Sequence, residues 1–240
     1  MTPGASSAEL VDVSIEDISV RGFLHRASPG SPALVLTHGA GANCQSVLLT
    51  SLAEALQSSG VTVLRCDLPF RQARPHGPPI RTAEKDQVGL KAAVAYLRGR
   101  TSGSMFLGGH SYGGRQATML AASQPGLIEG LLLLSYPLHP PERPDQLRTQ
   151  HFPDLRTPAL FVHGAKDGFG SIAEVEAARQ LIPAPTELLQ VPGAGHELIS
   201  KKNRDALTQL VVQAFRTKLL STEHPAPLKS HSPGHSTISK

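Results

Sequence analysis

The sequence has no tryptophan, only two cysteines and an aromatic content of 4%. Two cysteines are too few for a disulfide framework, and neither Cys44 nor Cys66 lies in a metal-ligand spacing, so no metal or other cofactor is expected. No apolar run approaches the roughly 18 residues of a membrane-spanning helix. The segment 1–17 lacks the basic and apolar regions of a secretory signal. We therefore expect a cytoplasmic protein without a membrane partner.

Positive charge is in mild excess and unevenly distributed. Lys and Arg total 23 against 19 Asp and Glu, and many of the basic residues fall between positions 65 and 100. A basic cluster can bind a polyanion, but this one has neither interleaved aromatics nor a recognisable nucleic-acid module. A solvated helix and loop is the favoured interpretation, and no nucleic-acid partner is expected.

Short apolar runs alternate with segments of helical periodicity along most of the chain. Strands are predicted at 9–15, 18–26, 32–38, 61–68, 104–110, 130–137, 159–164 and 186–191, and helices at 45–60, 82–99, 112–124, 171–182 and 201–220. This alternation is typical of an α/β fold with a mostly parallel sheet and helices on both faces. We predict one domain over residues 1–220 and a polar, flexible tail over 221–240.

A Gly-x-Ser-x-Gly pentapeptide spans residues 109–113, between a predicted strand and a predicted helix. The strand–turn–helix context is typical of a nucleophile elbow, in which the serine hydroxyl is exposed above the sheet. Glycines two residues to either side let the strand and the helix approach closely. The pattern predicts Ser111 as a catalytic nucleophile.

A serine hydroxyl needs a base to take its proton, and in this fold the acid and then the histidine follow the serine. His196, in the Gly-rich segment after the last predicted strand, is the predicted base. Asp167, in the loop after the strand 159–164, is the predicted acid that orients the imidazole. Asp145 and Asp154, in the loop after the preceding strand, are the alternatives.

Two backbone N–H groups are predicted to stabilise the oxyanion of a tetrahedral intermediate. One belongs to Tyr112, directly after the nucleophile, and the other to Ala40, in the Gly-rich turn after the strand 32–38. This turn lacks the Lys-Ser/Thr of a P-loop and the spacing of a dinucleotide-binding motif, so it does not predict a phosphate cradle.

A Pro- and Arg-rich loop is predicted from Pro69 to Arg81. It leaves the carboxyl end of a strand, the sheet edge where ligands bind in α/β folds. One hypothesis is that Arg71, Arg74 and Arg81 line the pocket mouth and favour substrates with a carboxylate or a phosphate. The alternative is a solvated loop.

Four motifs follow one another along the chain: HGAG at 38–41, the elbow at 109–113, GAKDG at 164–168 and GAGH at 193–196. In this order they resemble the α/β-hydrolase superfamily, and the resemblance covers about residues 8–220. It is most similar to the small enzymes near dienelactone hydrolase, in a branch with testis-expressed hydrolase-like proteins and a subunit of a histone acetyltransferase complex. The resemblance implies the α/β-hydrolase fold with minimal or no lid and an open, small pocket. Dienelactone hydrolases use a cysteine nucleophile, whereas this chain has serine.

The resulting prediction is a serine hydrolase that cleaves a small ester-like acyl substrate through Ser111, His196 and Asp167. Cofactor-free haloperoxidases and C–C-bond hydrolases use the same three side chains and are alternatives. A non-catalytic binding or scaffold protein is the alternative from another class, because a fold does not prove activity. Such a protein is free to lose these side chains, and this chain retains all three. No oligomeric state is predicted.

Overall fold

The computed structural model describes residues 8–80 and 83–221, so Arg81 and all but the first residue of the tail predicted at 221–240 lie outside the described residues. The strands are β1 (Glu9–Ile15), β2 (Ile18–His25), β3 (Ala33–Thr37), β4 (Thr62–Cys66), β5 (Met105–His110), β6 (Gly130–Leu134), β7 (Ala159–Gly164) and β8 (Thr186–Val191). The helices are α1 (Val47–Ser58), α2 (Pro69–Ala73), α3 (Ala83–Arg98), α4 (Tyr112–Ser123), α5 (Ile172–Arg179) and α6 (Arg204–Phe215), the last continued by a π-helical turn (Arg216–Leu220).

All of these strands form one sheet in the order β1-β2-β4-β3-β5-β6-β7-β8. The pairs β1–β2 and β2–β4 are antiparallel, and every other neighbouring pair is parallel. Strands β3 to β7 are buried along their whole length, which explains why they read as continuous apolar runs. The predicted α/β fold with a mostly parallel sheet is confirmed.

Helices cover both faces of the sheet and create two apolar layers. On one face α1 and α6 bury residues such as Leu52 and Phe215. On the other face α3, α4 and α5 bury Leu90, Ala117 and Val175. Because both faces are covered, ligands reach the sheet only at the edges where the strands end, and the parallel strands β3 to β8 all end at the same edge.

The segment predicted as a loop from Pro69 begins instead with the short helix α2. Pro69 occupies the first turn, where its missing N–H is not required, and Phe70 is buried. The Phe70 N–H donates to a carboxylate oxygen of Asp86, 3.0 Å away in α3. The helix is therefore held by a residue outside the segment, which is why local sequence did not predict it.

The segment between β6 and β7 contains a single 3₁₀ turn, Phe152–Asp154, and is otherwise irregular over residues 135–158. It therefore does not form a helical lid. No helix within residues 8–80 and 83–221 combines the length and apolar character needed to cross a membrane.

Candidate active site

Ser111 forms the sharp turn between β5 and α4. Its backbone angles, φ 51° and ψ −116°, lie in a positive-φ region that is strained for any residue with a side chain. A Cβ on Gly109 would lie 2.6 Å from the backbone carbon of Gly113, and a Cβ on Gly113 would lie 2.6 Å from the oxygen of His38. Both glycines are therefore required by the close approach of β5, α4 and the turn after β3.

The structure brings Ser111, His196 and Asp167 together at this edge of the sheet. The Nε2 atom of His196 lies 2.8 Å from Ser111 Oγ, and its Nδ1 atom lies 3.0 and 2.9 Å from the two carboxylate oxygens of Asp167. A carboxylate only accepts hydrogen bonds, so Nδ1 carries the ring proton and Nε2 is left to accept from the serine hydroxyl. The alternative acids Asp145 and Asp154 are both exposed, and the Nδ1 atom pairs with Asp167 instead.

Asp167 lies in the loop after β7, and its side chain is fully buried. Burial raises its pKa, but hydrogen bonds from His196 and from the Phe169 N–H, 2.9 Å away, leave the pKa below its ordinary value. His163 adds to this effect from a distance of 3.6 Å. The carboxylate is therefore ionised at neutral pH and can stabilise an imidazolium.

His196 makes two further contacts, one through its ring and one through its backbone. The Phe169 ring stacks on it with centroids 4.1 Å apart and an angle of 29°. The ring Nε2–H of His110 donates to the backbone oxygen of His196 across 2.9 Å. Burial lowers the pKa of His110, which keeps its ring neutral. The sequence did not predict a role for His110 or Phe169.

The two predicted oxyanion donors border the same cleft as Ser111. Tyr112 is the first residue of α4, so its N–H belongs to the positive end of the helix dipole. Ala40 lies in the turn after β3, and its carbonyl accepts a hydrogen bond of 2.6 Å from Arg71. The Tyr112 hydroxyl donates to Asp86 at 2.7 Å, which ties the start of α4 to α3.

The arginines predicted at the pocket mouth occupy other positions. Arg71 is 4% exposed and its guanidinium donates to backbone oxygens of Ala40, Ala42, Arg74 and Gly77 at 2.6 to 3.1 Å. A buried guanidinium needs acceptors on its donors, and these carbonyls supply them, so the structure places Arg71 inside the fold and not on the wall of the cleft. Arg74 is exposed and does not line the cleft, and Arg81 lies outside the described residues.

The cleft beside Ser111 has a volume of about 590 Å³. Its wall contains two arginines that the sequence analysis did not single out, Arg115 and Arg148. Arg115 lies on α4 four residues after Ser111, a spacing of about one helical turn that the sequence could have signalled. Arg148 reaches the cleft from the irregular segment after β6, and nothing in its local sequence predicts this.

Comparison with known proteins gives the same architecture. Residues 30–222 match the family described as "Alpha/beta hydrolase domain". A dienelactone hydrolase from Anabaena variabilis is 23% identical, with 89% of this chain and 98% of that chain covered and a TM-score of 0.71. Est1E from Butyrivibrio proteoclasticus is 19% identical, with 90% and 100% covered and a TM-score of 0.71.

A further similar structure is an alpha-beta serine hydrolase homologue from Coxiella burnetii, 20% identical, with 89% of this chain and 99% of that chain covered and a TM-score of 0.68. At these identities the solved structures show a shared fold, and the family match spans most of the chain. The predicted resemblance to the hydrolases near dienelactone hydrolase is therefore confirmed, and this chain belongs to the α/β-hydrolase family.

Proposed function

We propose that this protein is a serine hydrolase that cleaves small ester-like acyl substrates through an acyl-enzyme intermediate. The observation that carries the proposal is the continuous hydrogen-bonded line from Ser111 Oγ through the imidazole of His196 to the buried carboxylate of Asp167. A serine hydroxyl is a weak nucleophile until a base removes its proton, and this line supplies the base and its orienting acid.

In the first half of the reaction, Ser111 Oγ attacks the ester carbonyl while its proton passes to His196 Nε2. The N–H groups of Tyr112 and Ala40 are the donors for the resulting oxyanion, and Asp167 stabilises the imidazolium. When the intermediate collapses, His196 returns the proton to the leaving alcohol. Water, deprotonated by the same imidazole, then releases the acyl group and regenerates the serine.

Similar solved structures favour ester substrates for this site. One of them is Est1E with bound ferulic acid, 18% identical and with a TM-score of 0.72, and another is an esterase from Pyrococcus furiosus. The cleft of about 590 Å³ suits a small acyl chain.

The test is turnover of short p-nitrophenyl esters, together with labelling by a fluorophosphonate probe. We expect the native protein to do both and Ser111→Ala to do neither. Ser123→Ala, at the far end of the same helix, is the matched control and should retain both. Native protein that neither turns over these esters nor reacts with the probe would contradict the proposal and favour a non-catalytic binding protein.

The acid is tested separately, because it has alternatives in the sequence. Asp167→Asn would stabilise the wrong imidazole tautomer, and we expect kcat to fall about 10⁴-fold, as in other enzymes with this arrangement. Asp154→Asn should leave kcat close to the native value because that carboxylate is exposed and does not line the cleft. Equal effects of the two substitutions would contradict the role of Asp167.

A further inference from the structure

Two arginines, Arg115 and Arg148, line the cleft beside Ser111. Arg115 lies on α4, and its N–H donates to the Ser111 oxygen at 3.0 Å, so its side chain starts one turn beyond the elbow. Arg148 belongs to the irregular segment after β6, where its N–H donates to the Leu138 oxygen at 2.8 Å. The Tyr136 hydroxyl donates to the Arg148 oxygen at 2.7 Å, which fixes the backbone beneath the side chain.

Neither guanidinium is neutralised within the described part of the chain. The ion pairs that arginine forms there involve Arg21, Arg26, Arg98 and Arg179. The Nε atom of Arg115 is buried and has no hydrogen-bond partner among the described residues. Arg148 makes one side-chain hydrogen bond there, a long one of 3.3 Å from Nη1 to the Pro137 oxygen. Most of the N–H donors of the two guanidinium groups therefore have no acceptor among the described residues.

Beside Arg115 lies the ring of His151, which is influenced by the charges of both Arg115 and the exposed carboxylate of Asp154. Thr118 donates to the Arg115 oxygen at 2.8 Å and lies 2.8 Å from His151 Nε2. Burial, together with the charge of Arg115, lowers the pKa of His151 to about 4, so this ring is neutral at pH 7. Burial and the same guanidinium also hold the pKa of Arg148 below its ordinary value.

Two like charges on the wall of a cleft repel each other, and an unsatisfied buried donor is costly. An anion placed between them would relieve both effects at once. The one carboxylate among the described residues of the cleft wall is that of Glu197, which is exposed and follows His196 directly. It lies on a different element from either arginine.

We propose that Arg115 and Arg148 form a binding subsite for a carboxylate, so that the enzyme prefers acyl chains ending in a free carboxylate. The inference rests on the proposed function, because it names the substrate class of the same site. His196 protonates the leaving alcohol, so the leaving group lies against the imidazole. The acyl chain is then directed to the wall formed by α4 and the segment after β6, where the guanidinium forks can bind a carboxylate through paired hydrogen bonds.

The test compares p-nitrophenyl monoesters of dicarboxylic acids, from succinic to suberic acid, with the neutral esters of monocarboxylic acids of equal chain length. Ser111→Ala protein supplies the background, because a neighbouring carboxylate speeds the spontaneous hydrolysis of the shortest monoesters. For each chain length the ratio of kcat/KM, anionic over neutral, is measured. A ratio cancels any loss of folded protein in a variant.

We expect native protein to favour the anionic ester for at least one chain length. The preference should fall about 10- to 100-fold in Arg115→Gln and in Arg148→Gln, the usual loss when a hydrogen bond to a charged group is removed. Arg143→Gln, at an exposed position outside the cleft, should keep the native ratio. High salt should weaken the preference, because ions screen the attraction.

A second measurement needs no variant. Free dicarboxylates should inhibit native turnover of a neutral ester more strongly than the diamides of the same acids. If ester turnover depends on Ser111 but neither the substrate ratio nor the inhibition favours the carboxylate at any chain length, the subsite inference is overturned and the proposed function stands. If turnover does not depend on Ser111, the proposed function fails first.

Discussion

The His110 ring donates a hydrogen bond to the backbone oxygen of His196 across 2.9 Å, and the two rings lie with centroids 5.2 Å apart. The residue immediately before the proposed nucleophile therefore holds the loop that carries the proposed base. Distances of a few tenths of an ångström matter at this point, since proton transfer requires the imidazole and the hydroxyl within hydrogen-bond reach. We assign His110 as a positioning residue.

Replacing the His110 ring with one that cannot donate should loosen this loop. In His110→Phe we expect kcat for a short p-nitrophenyl ester to fall about tenfold, with a smaller change in KM, because misplaced groups slow the chemical step more than they weaken binding. His110→Gln, which keeps a side-chain N–H donor, should recover part of the loss. Equal kcat values in the His110→Phe and His110→Gln variants would argue against a role for the hydrogen bond.

Removing the guanidinium of Arg71 should damage both stability and turnover. Arg71→Met keeps the apolar stem but leaves four carbonyl oxygens without their donor. Arg74 and Gly77 are exposed, so their oxygens can bind water, whereas Ala40 and Ala42 are half-buried. Because an unsatisfied buried group costs about 1–3 kcal/mol, we expect the free energy of unfolding to fall by about 1–3 kcal/mol, and kcat to fall because the turn that carries Ala40 is released.

The matched control for this change is Arg74→Met, on an exposed arginine of the same segment. It should change the free energy of unfolding by less than about 0.5 kcal/mol, as is usual at the surface. Urea unfolding and ester kinetics of the two variants provide the comparison. Similar losses in both would contradict the role assigned to Arg71.

A methyl group on Gly113 should destabilise the elbow. Alanine gains up to about 1 kcal/mol in helix propensity over glycine, but here its Cβ would lie 2.6 Å from the His38 oxygen. Overpacking against backbone outweighs this gain, and we expect Gly113→Ala to lower the free energy of unfolding by about 1–3 kcal/mol. Gly168→Ala, with nothing within 4 Å of its added Cβ, is the control and should be close to neutral. The check is urea unfolding of both variants.

Stability should decline in mild acid because of His25. Burial, followed by the charge of Arg65, lowers the pKa of His25 from 6.5 to about 4. Between these two values the unfolded chain binds a proton that the folded protein excludes, so stability is complete above pH 6.5 and falls as the pH drops to about 4. A pKa shift is worth about 1.4 kcal/mol per pH unit, so His25 alone lowers the free energy of unfolding by up to about 3 kcal/mol in acid.

His25→Gln isolates this contribution. The His25 ring accepts a hydrogen bond of 2.9 Å from Arg65 Nε, and the glutamine oxygen can also accept without titrating. Urea unfolding at several pH values from 7 to 4 should show a shallower loss of stability in the variant than in the native protein. Parallel curves for the two proteins would mean that His25 does not control the acid sensitivity.

Sequence patterns predicted most of the fold because they depend on neighbours in the chain. The apolar run of β3 and the helical periodicity of α4 are local features, and the sheet and its covering helices follow from their alternation. The exceptions depend on distant partners. Helix α2, for example, is anchored by Asp86 of α3. A local contact also shifts one boundary: the helix predicted at 201–220 starts at Arg204, after a turn in which the Ser200 N–H donates to the Asn203 side-chain oxygen at 2.7 Å.

By itself, the sequence determined that a serine lies in a glycine-flanked elbow and that an aspartate and a histidine follow it after successive strands. Glycine spacing, strand order and the direction of a parallel sheet are enough to bring such residues to one edge. Only the tertiary structure decided which arginines are buried in the fold and which line the cleft. A guanidinium side chain is long and turns toward whichever acceptors surround it, so Arg71 is buried among carbonyls from two loops, while Arg115 and Arg148 face the cleft.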